Sequence, residues 1–119
     1  MITIKKLRET YPKLFIDNPD ISIREGWYPI LEKVCILLME YNTLDPDIRF
    51  VQIKEKFAEI RIYIEAANLD KEKFTEVHDK LEIICEESRS ICEFCGTKEN
   101  VKSRPGAWIK TLCNDCHEK

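Results

Sequence analysis

Apolar side chains recur at helical spacing over three stretches of the chain and at alternate positions over a fourth. Ile4, Leu7, Tyr11, Leu14 and Phe15 fall on one side of a predicted helix over 3–15, with Pro12 placed to kink or end it. Residues 16–26 carry no such period, and Asn18-Pro19-Asp20 is turn chemistry, so this segment reads as a loop. From Gly26 to Tyr41 the period returns. Trp27, Ile30, Leu31, Val34, Leu38 and Tyr41 repeat at i, i+3, i+4, with Pro29 suited to the first turn. Cys35, Leu37 and Met39 widen that stripe, as expected of a central core helix.

The period then changes to two. Val51 and Ile53 alternate with Gln52 and Lys54, and Ile60, Ile62 and Ile64 with Arg61, Tyr63 and Glu65. This predicts a β-hairpin over 48–65 turning near Glu55–Ala58. Val51, Ile53, Ile60, Ile62 and Ile64 are expected to face the helices; Gln52, Lys54, Arg61 and Tyr63, with Phe50, are expected on the outer face. A third helix follows, capped by Asp70, burying Phe74, Val77, Leu81, Ile84 and Cys85 and ending near Ser88–Ser90. The expectation is an α+β fold, a hairpin packed on about three helices over 1–90, followed by a finger subdomain over 91–119.

That last segment, CEFCGTKENVKSRPGAWIKTLCNDCH, holds two Cys-x-x-Cys pairs, Cys92/Cys95 and Cys113/Cys116, in the spacing of a structural zinc site. A two-residue gap lets one tight turn present both thiolates to an ion. Gly96 after the second cysteine suits that turn, because glycine accepts positive φ. The stretch Ala107–Leu112 reads as a short strand and the second pair as the start of a helix stub, giving a zinc-ribbon or treble-clef-like finger. Reduced free thiols and an iron–sulfur cluster are the other readings. With four sulfurs no coordination position stays open for water, so Zn2+ here is structural rather than catalytic. His117 could replace Cys116 as a ligand but is expected to stay off the ion. Neither a deaminase signature nor a histidine base beside the metal is present, and His78 has no catalytic neighbours at helical spacing. Cys35 and Cys85 fall on apolar stripes and are expected as buried small hydrophobes. No phosphate loop, nucleophile elbow or hydrolytic triad is legible. A hydrolase with a site of another kind is the minor alternative.

Composition narrows this picture only slightly. The 119 residues are 44% hydrophobic, enough for one globular core, with a net charge of −3. That balance argues against wholesale nucleic-acid coating. The charge is uneven: 91–119 hold five Lys/Arg against four acids, leaving 14 against 18 in the first ninety. The opening residues lack the apolar core of a signal peptide and no run is long enough to span a membrane. A cytoplasmic location is therefore expected, where thiols stay reduced and cysteine pairs suggest metal rather than disulfides.

Two surfaces are candidates for a ligand. On the hairpin, Lys54, Lys56 and Arg61 cluster with Tyr63, and cations beside aromatics on a strand face can hold phosphates and stack bases. In the finger, Arg104 and Trp108 lie among further lysines, with Trp108 either a contact residue or the finger's own core. Nucleic acid or a nucleotide are the partners these surfaces suggest.

Several signatures occur in order: Tyr11-Pro12-Lys13-Leu14-Phe15; Gly26-Trp27; Lys54-Glu55-Lys56-Phe57 with Arg61 and Tyr63; Ser90-x-Cys92-x-x-Cys95-Gly96; and Trp108-x-x-Thr111-Leu112-Cys113-x-x-Cys116. The combination resembles a family of small phage- and prophage-encoded proteins of unknown function, over nearly the whole chain. Members usually have Gly after the KEKF run and a Leu-Arg-Phe-Tyr strand. Here Ala58 and Ile60-Arg61-Ile62-Tyr63 stand in their place. The resemblance implies no catalytic residue. It implies a non-enzymatic accessory factor directed at host machinery or host defence.

Overall fold

The computed structural model describes residues 1–106 and 108–119. The first helix, α1 (Ile4–Thr10), starts where the Thr3 hydroxyl accepts from the Lys6 amide at 3.1 Å. It is shorter than expected. The chain leaves it at Tyr11, and Pro12 opens a separate 3₁₀ turn, Pro12–Phe15, which buries Leu14 and Phe15.

The segment read as a loop contains a strand, β1 (Asp20–Ser22). Three residues cannot show a period, and its hydrogen bonds come from a distant partner, β2. Helix α2 (Tyr28–Tyr41) follows as expected, with Pro29 in its first turn, and its Ile30, Leu31, Val34, Cys35 and Leu38 are fully buried. Strands β2 (Arg49–Lys56) and β3 (Glu59–Glu65) form the expected hairpin. The sheet order is β1-β2-β3, with β1 parallel to β2 and β3 antiparallel. Helix α3 (Lys71–Glu86) starts at Asp70, whose carboxylate accepts from the Lys73 amide at 2.8 Å, and continues as a 3₁₀ turn to Ser90. Of its expected stripe, Val77, Leu81 and Cys85 are buried, but Phe74 is exposed and stacks beside His78.

A β-bulge corrects the expected hairpin faces. Phe50 pairs with Ile64 but Gln52 with Tyr63, so Val51 is the extra residue of β2. Phe50 is consequently in the core against Phe15, and Val51 is exposed. Beyond the bulge the outer face is as expected. Lys54 sits opposite Arg61, and Gln52 opposite Tyr63.

The hairpin turn is Phe57-Ala58, both at positive φ (54° and 62°). A two-residue turn of this hand matches the strand twist and normally takes Asn-Gly. The turn is tight although neither residue is Asn or Gly, at a cost of roughly 1–2 kcal/mol per left-handed side chain. It is held from outside: the Glu55 carboxylate accepts from the Ala58 amide at 3.1 Å, and the Thr111 hydroxyl donates to the Ala58 carbonyl at 2.5 Å.

After Ile91 the chain makes a knuckle, then β4 (Lys102–Arg104), β5 (Lys110–Leu112) and α4 (Asn114–Glu118). β4 has no counterpart among the expected elements. β5 covers the C-terminal half of the expected strand, while Ala107 lies outside the described residues. The knuckle is seated on the start of α2. The Gly26 amide donates to the Glu93 carbonyl at 2.9 Å, and the buried Trp27 indole donates to the Ile91 carbonyl at 2.8 Å. A Cβ on Gly26 would collide with the Cys92 carbonyl oxygen and lie 2.6 Å from the Glu93 carbonyl carbon and oxygen.

Three stability outcomes follow from this geometry. Gly26→Ala is expected to lower unfolding free energy by about 2–3 kcal/mol in chemical denaturation, because backbone rather than a movable side chain blocks the methyl. Gly106→Ala, whose Cβ would meet its nearest atom at 3.8 Å, is expected to change it little. Phe57→Asn is expected to raise stability by about 1 kcal/mol by placing a tolerant residue at positive φ. An unchanged or lower value would show that the turn is not strained.

Candidate metal centre and the surfaces around it

The four cysteine sulfurs converge from three local structures. Cys92 and Cys95 flank the knuckle turn, closed by the Gly96 amide donating to the Cys92 carbonyl at 2.9 Å, with Gly96 at φ +79°. Cys113 follows β5 and caps α4, its sulfur accepting from the Cys116 amide at 3.4 Å. Cys116 comes from the first turn of α4. All four sulfurs lie within 4.8 Å of one another.

That arrangement fits a metal ion. An ion about 2.3 Å from each sulfur places tetrahedral ligands about 3.8 Å apart, and Cys95 Sγ is 3.7 Å from Cys113 Sγ. The same cysteines suit a cation better than four neutral thiols. Burial pushes the Cys92 thiol up, but the amides of Cys95, Cys113 and Phe94 directed at it prevail and bring it down to about 6. Cys116 is pushed up to about 12, first by desolvation and then by the neighbouring sulfurs. Without a cation the cluster accepts one thiolate readily and resists the last; a divalent ion removes that conflict.

The remaining cysteines and histidines are elsewhere. Cys35 and Cys85 are core residues whose thiols burial pushes up to about 12, so they remain inert hydrophobes. His117 is exposed on α4, and His78 Nδ1 pairs with the Phe74 carbonyl on α3.

The six other candidate residues separate into three groups. Lys54, Arg61 and Tyr63 are together on the outer sheet face, with Lys54 Nζ 5.6 Å from the Tyr63 ring centre. Lys56 and Trp108 share a different place, a hollow of about 360 Å³ at the hairpin tip that Glu55, Phe57 and Ile109 complete. Trp108 is 73% exposed and is no part of the finger's core, which is Cys92, Leu112 and Cys113 with Phe94, Val101 and Cys116. Arg104 is an internal brace. Its guanidinium donates to the carbonyls of Leu112 (3.3 Å) and Asn100 (3.4 Å) and to Asn114 Oδ1 (2.7 Å).

Sequence reasoning placed Lys110 among the finger's basic residues but did not single out Glu93 or Arg24. A second hollow, about 450 Å³, brings them together with Trp27, Glu55 and Trp108. Glu93 is only 5% exposed, and its carboxylate accepts from the Thr111 amide at 3.3 Å. Burial, opposed by that amide, holds its carboxyl above the usual range, and Glu55 adds to the shift. Its position between two ligand cysteines was the available signal, masked by the abundance of acids.

No family model, curated protein or solved structure matches the chain. No helix among the described residues is long and apolar enough to cross a membrane.

Substituting Cys95 or Cys116 by Ser is expected to weaken metal binding more than about 100-fold, beyond what loss of an outer partner costs, whereas Cys35→Ser leaves it unchanged. Cobalt(II) titration, read by its sulfur charge-transfer band, distinguishes these outcomes. Because binding requires thiolates, affinity is expected to be highest at alkaline pH. It should fall progressively as pH drops, because each cysteine must give up its proton to bind the ion.

Proposed function

We propose that the chain is a non-enzymatic, zinc-stabilised binding module for a phosphate-bearing ligand, a nucleic acid or a nucleotide signal, acting in the cytoplasm. Zinc is the choice because an all-thiolate tetrahedron suits it and its site closes without redox chemistry. The order knuckle, hairpin, helix stub is that of a treble-clef-like finger. Four sulfurs saturate the ion, so its contribution is to folding.

One observation carries the ligand class. Lys54 and Arg61 are directly opposite each other across β2 and β3, and like charges in that relation repel. Glu59 forms an ion pair with Arg61 at 3.8 Å but shares its single charge with Arg89, and Arg61 Nε makes no hydrogen bond among the described residues. Tyr63 supplies an exposed ring beside the pair. Two cations and an aromatic ring arranged this way suit a phosphate with an attached base.

Lys54→Ala with Arg61→Ala is expected to weaken oligonucleotide binding at least tenfold and to reduce its salt dependence by about 1.5–2 in log–log slope. Unchanged affinity would refute the assignment.

A second reading is favoured by a separate feature. Phe57 (64% exposed), Trp108 and Ile109 form an apolar rim at the hairpin tip. In the phage or prophage setting that the sequence resemblance implies, this rim would seat a host enzyme or defence protein. A single stoichiometric, salt-resistant partner captured by the intact chain and lost on Trp108→Asp is the expected sign. Capture that survives Trp108→Asp counts against it.

A further inference from the structure

We infer that the hollow between the knuckle, the end of β1 and β5 is a pocket for a guanine nucleotide, with Glu93 reading the base and Trp108 stacking on it. For its ligand class this rests on the reading above; for its place it does not, since the pocket shares no residue with the Lys54–Arg61 pair.

The starting point is Glu93. Its side chain is more than nine-tenths buried, lines the hollow, has one protein N–H donor and enters no ion pair among the described residues. One carboxylate oxygen takes that N–H, and the other, not shut off from solvent, has no protein donor among the described residues and is left to what enters the hollow. Two cations stand near without satisfying it. The Arg24 guanidinium lies 4.7 Å above the Phe94 ring and Lys110 Nζ 5.6 Å from it. Both line the same hollow.

These groups select by charge. A bare cation such as a lysine or amine ligand would answer Glu93 but be repelled by Arg24 and Lys110. A simple anion would answer the cations but be repelled by Glu93 and Glu55. A ligand with neutral N–H donors at one end and negative charge at the other satisfies both. An ionised carboxylate accepts only, and among the common bases guanine alone presents two adjacent donors, N1–H and the exocyclic amine. Adenine and cytosine each place a ring acceptor beside their amine, and uracil flanks its single N–H with carbonyls. The exposed indole of Trp108 offers a stacking face, and about 450 Å³ suits a small molecule.

Calorimetry and tryptophan fluorescence of the intact, zinc-loaded chain with GMP, AMP, CMP and inorganic phosphate test the assignment. GMP is expected to bind at least tenfold more tightly than AMP or CMP, in line with a two-point base contact, and to quench the exposed indole. Trp108→Ala should weaken GMP about tenfold or more, and Glu93→Gln should abolish the preference for guanine. Should Glu93→Gln lose zinc or fold, Trp108→Ala, an exposed substitution, still decides. Nucleotide binding without base preference, or binding that survives Trp108→Ala and is lost with Lys54 and Arg61, overturns the pocket while preserving the phosphate-ligand reading. Absence of binding to any nucleotide, phosphate or oligonucleotide overturns both.

Discussion

The close approach of the Gly26 backbone to Cys92 and Glu93 is the contact on which the rest of the structure depends. It leaves no room for a side chain and joins the first turn of the central helix to the knuckle carrying half of the sulfur cluster. Trp27 follows directly, and its indole secures Ile91, the residue before the first ligand. Gly96 is also held here, with Gly26 O only 3.3 Å from where a Cβ would stand. Two of the chain's three glycines are therefore spent on one junction.

From that junction the finger reaches the hairpin turn. Thr111 bonds the Ala58 carbonyl and its own amide bonds Glu93, so one β5 residue ties the strained hairpin turn to the buried acid. Strain of this kind persists only where surrounding contacts over-determine it. A metal that gathers the knuckle and α4 thereby supports Phe57 and Trp108 at the surface, although it touches neither. On the proposed reading its role is architectural.

The long elements were legible because burial imposes a period on them. The stripes from Ile30 to Tyr41 and from Val77 to Cys85 give helices, and Asp70 marks a start that its hydrogen bond bears out. The cysteine spacing was legible because two-residue gaps have few other uses. What escaped were features set by partners distant in the chain. β1 exists through its parallel pairing with β2, and Asp20-Ile21-Ser22 carries no local trace of it. The bulge at Val51 inverts which of two apolar neighbours is inside, and both choices satisfy an alternating pattern. Arg104 and Trp108 looked alike as surface candidates, yet one is consumed by carbonyls and the other stands free because β5 turns it away from the finger's core. Glu93 escaped because its burial arises from the seating of the knuckle, not from its neighbours in sequence.

The central claim is that a metal held by Cys92, Cys95, Cys113 and Cys116 pins the finger to the core through Gly26. Amide hydrogen exchange on the zinc-loaded and chelator-stripped chain reads it residue by residue. Stripping should remove protection from the Gly26, Cys92, Glu93 and Gly96 amides, all of which bond within or to the knuckle, while amides inside α2 and α3 stay slow. Equal protection of those four amides with and without metal would contradict it.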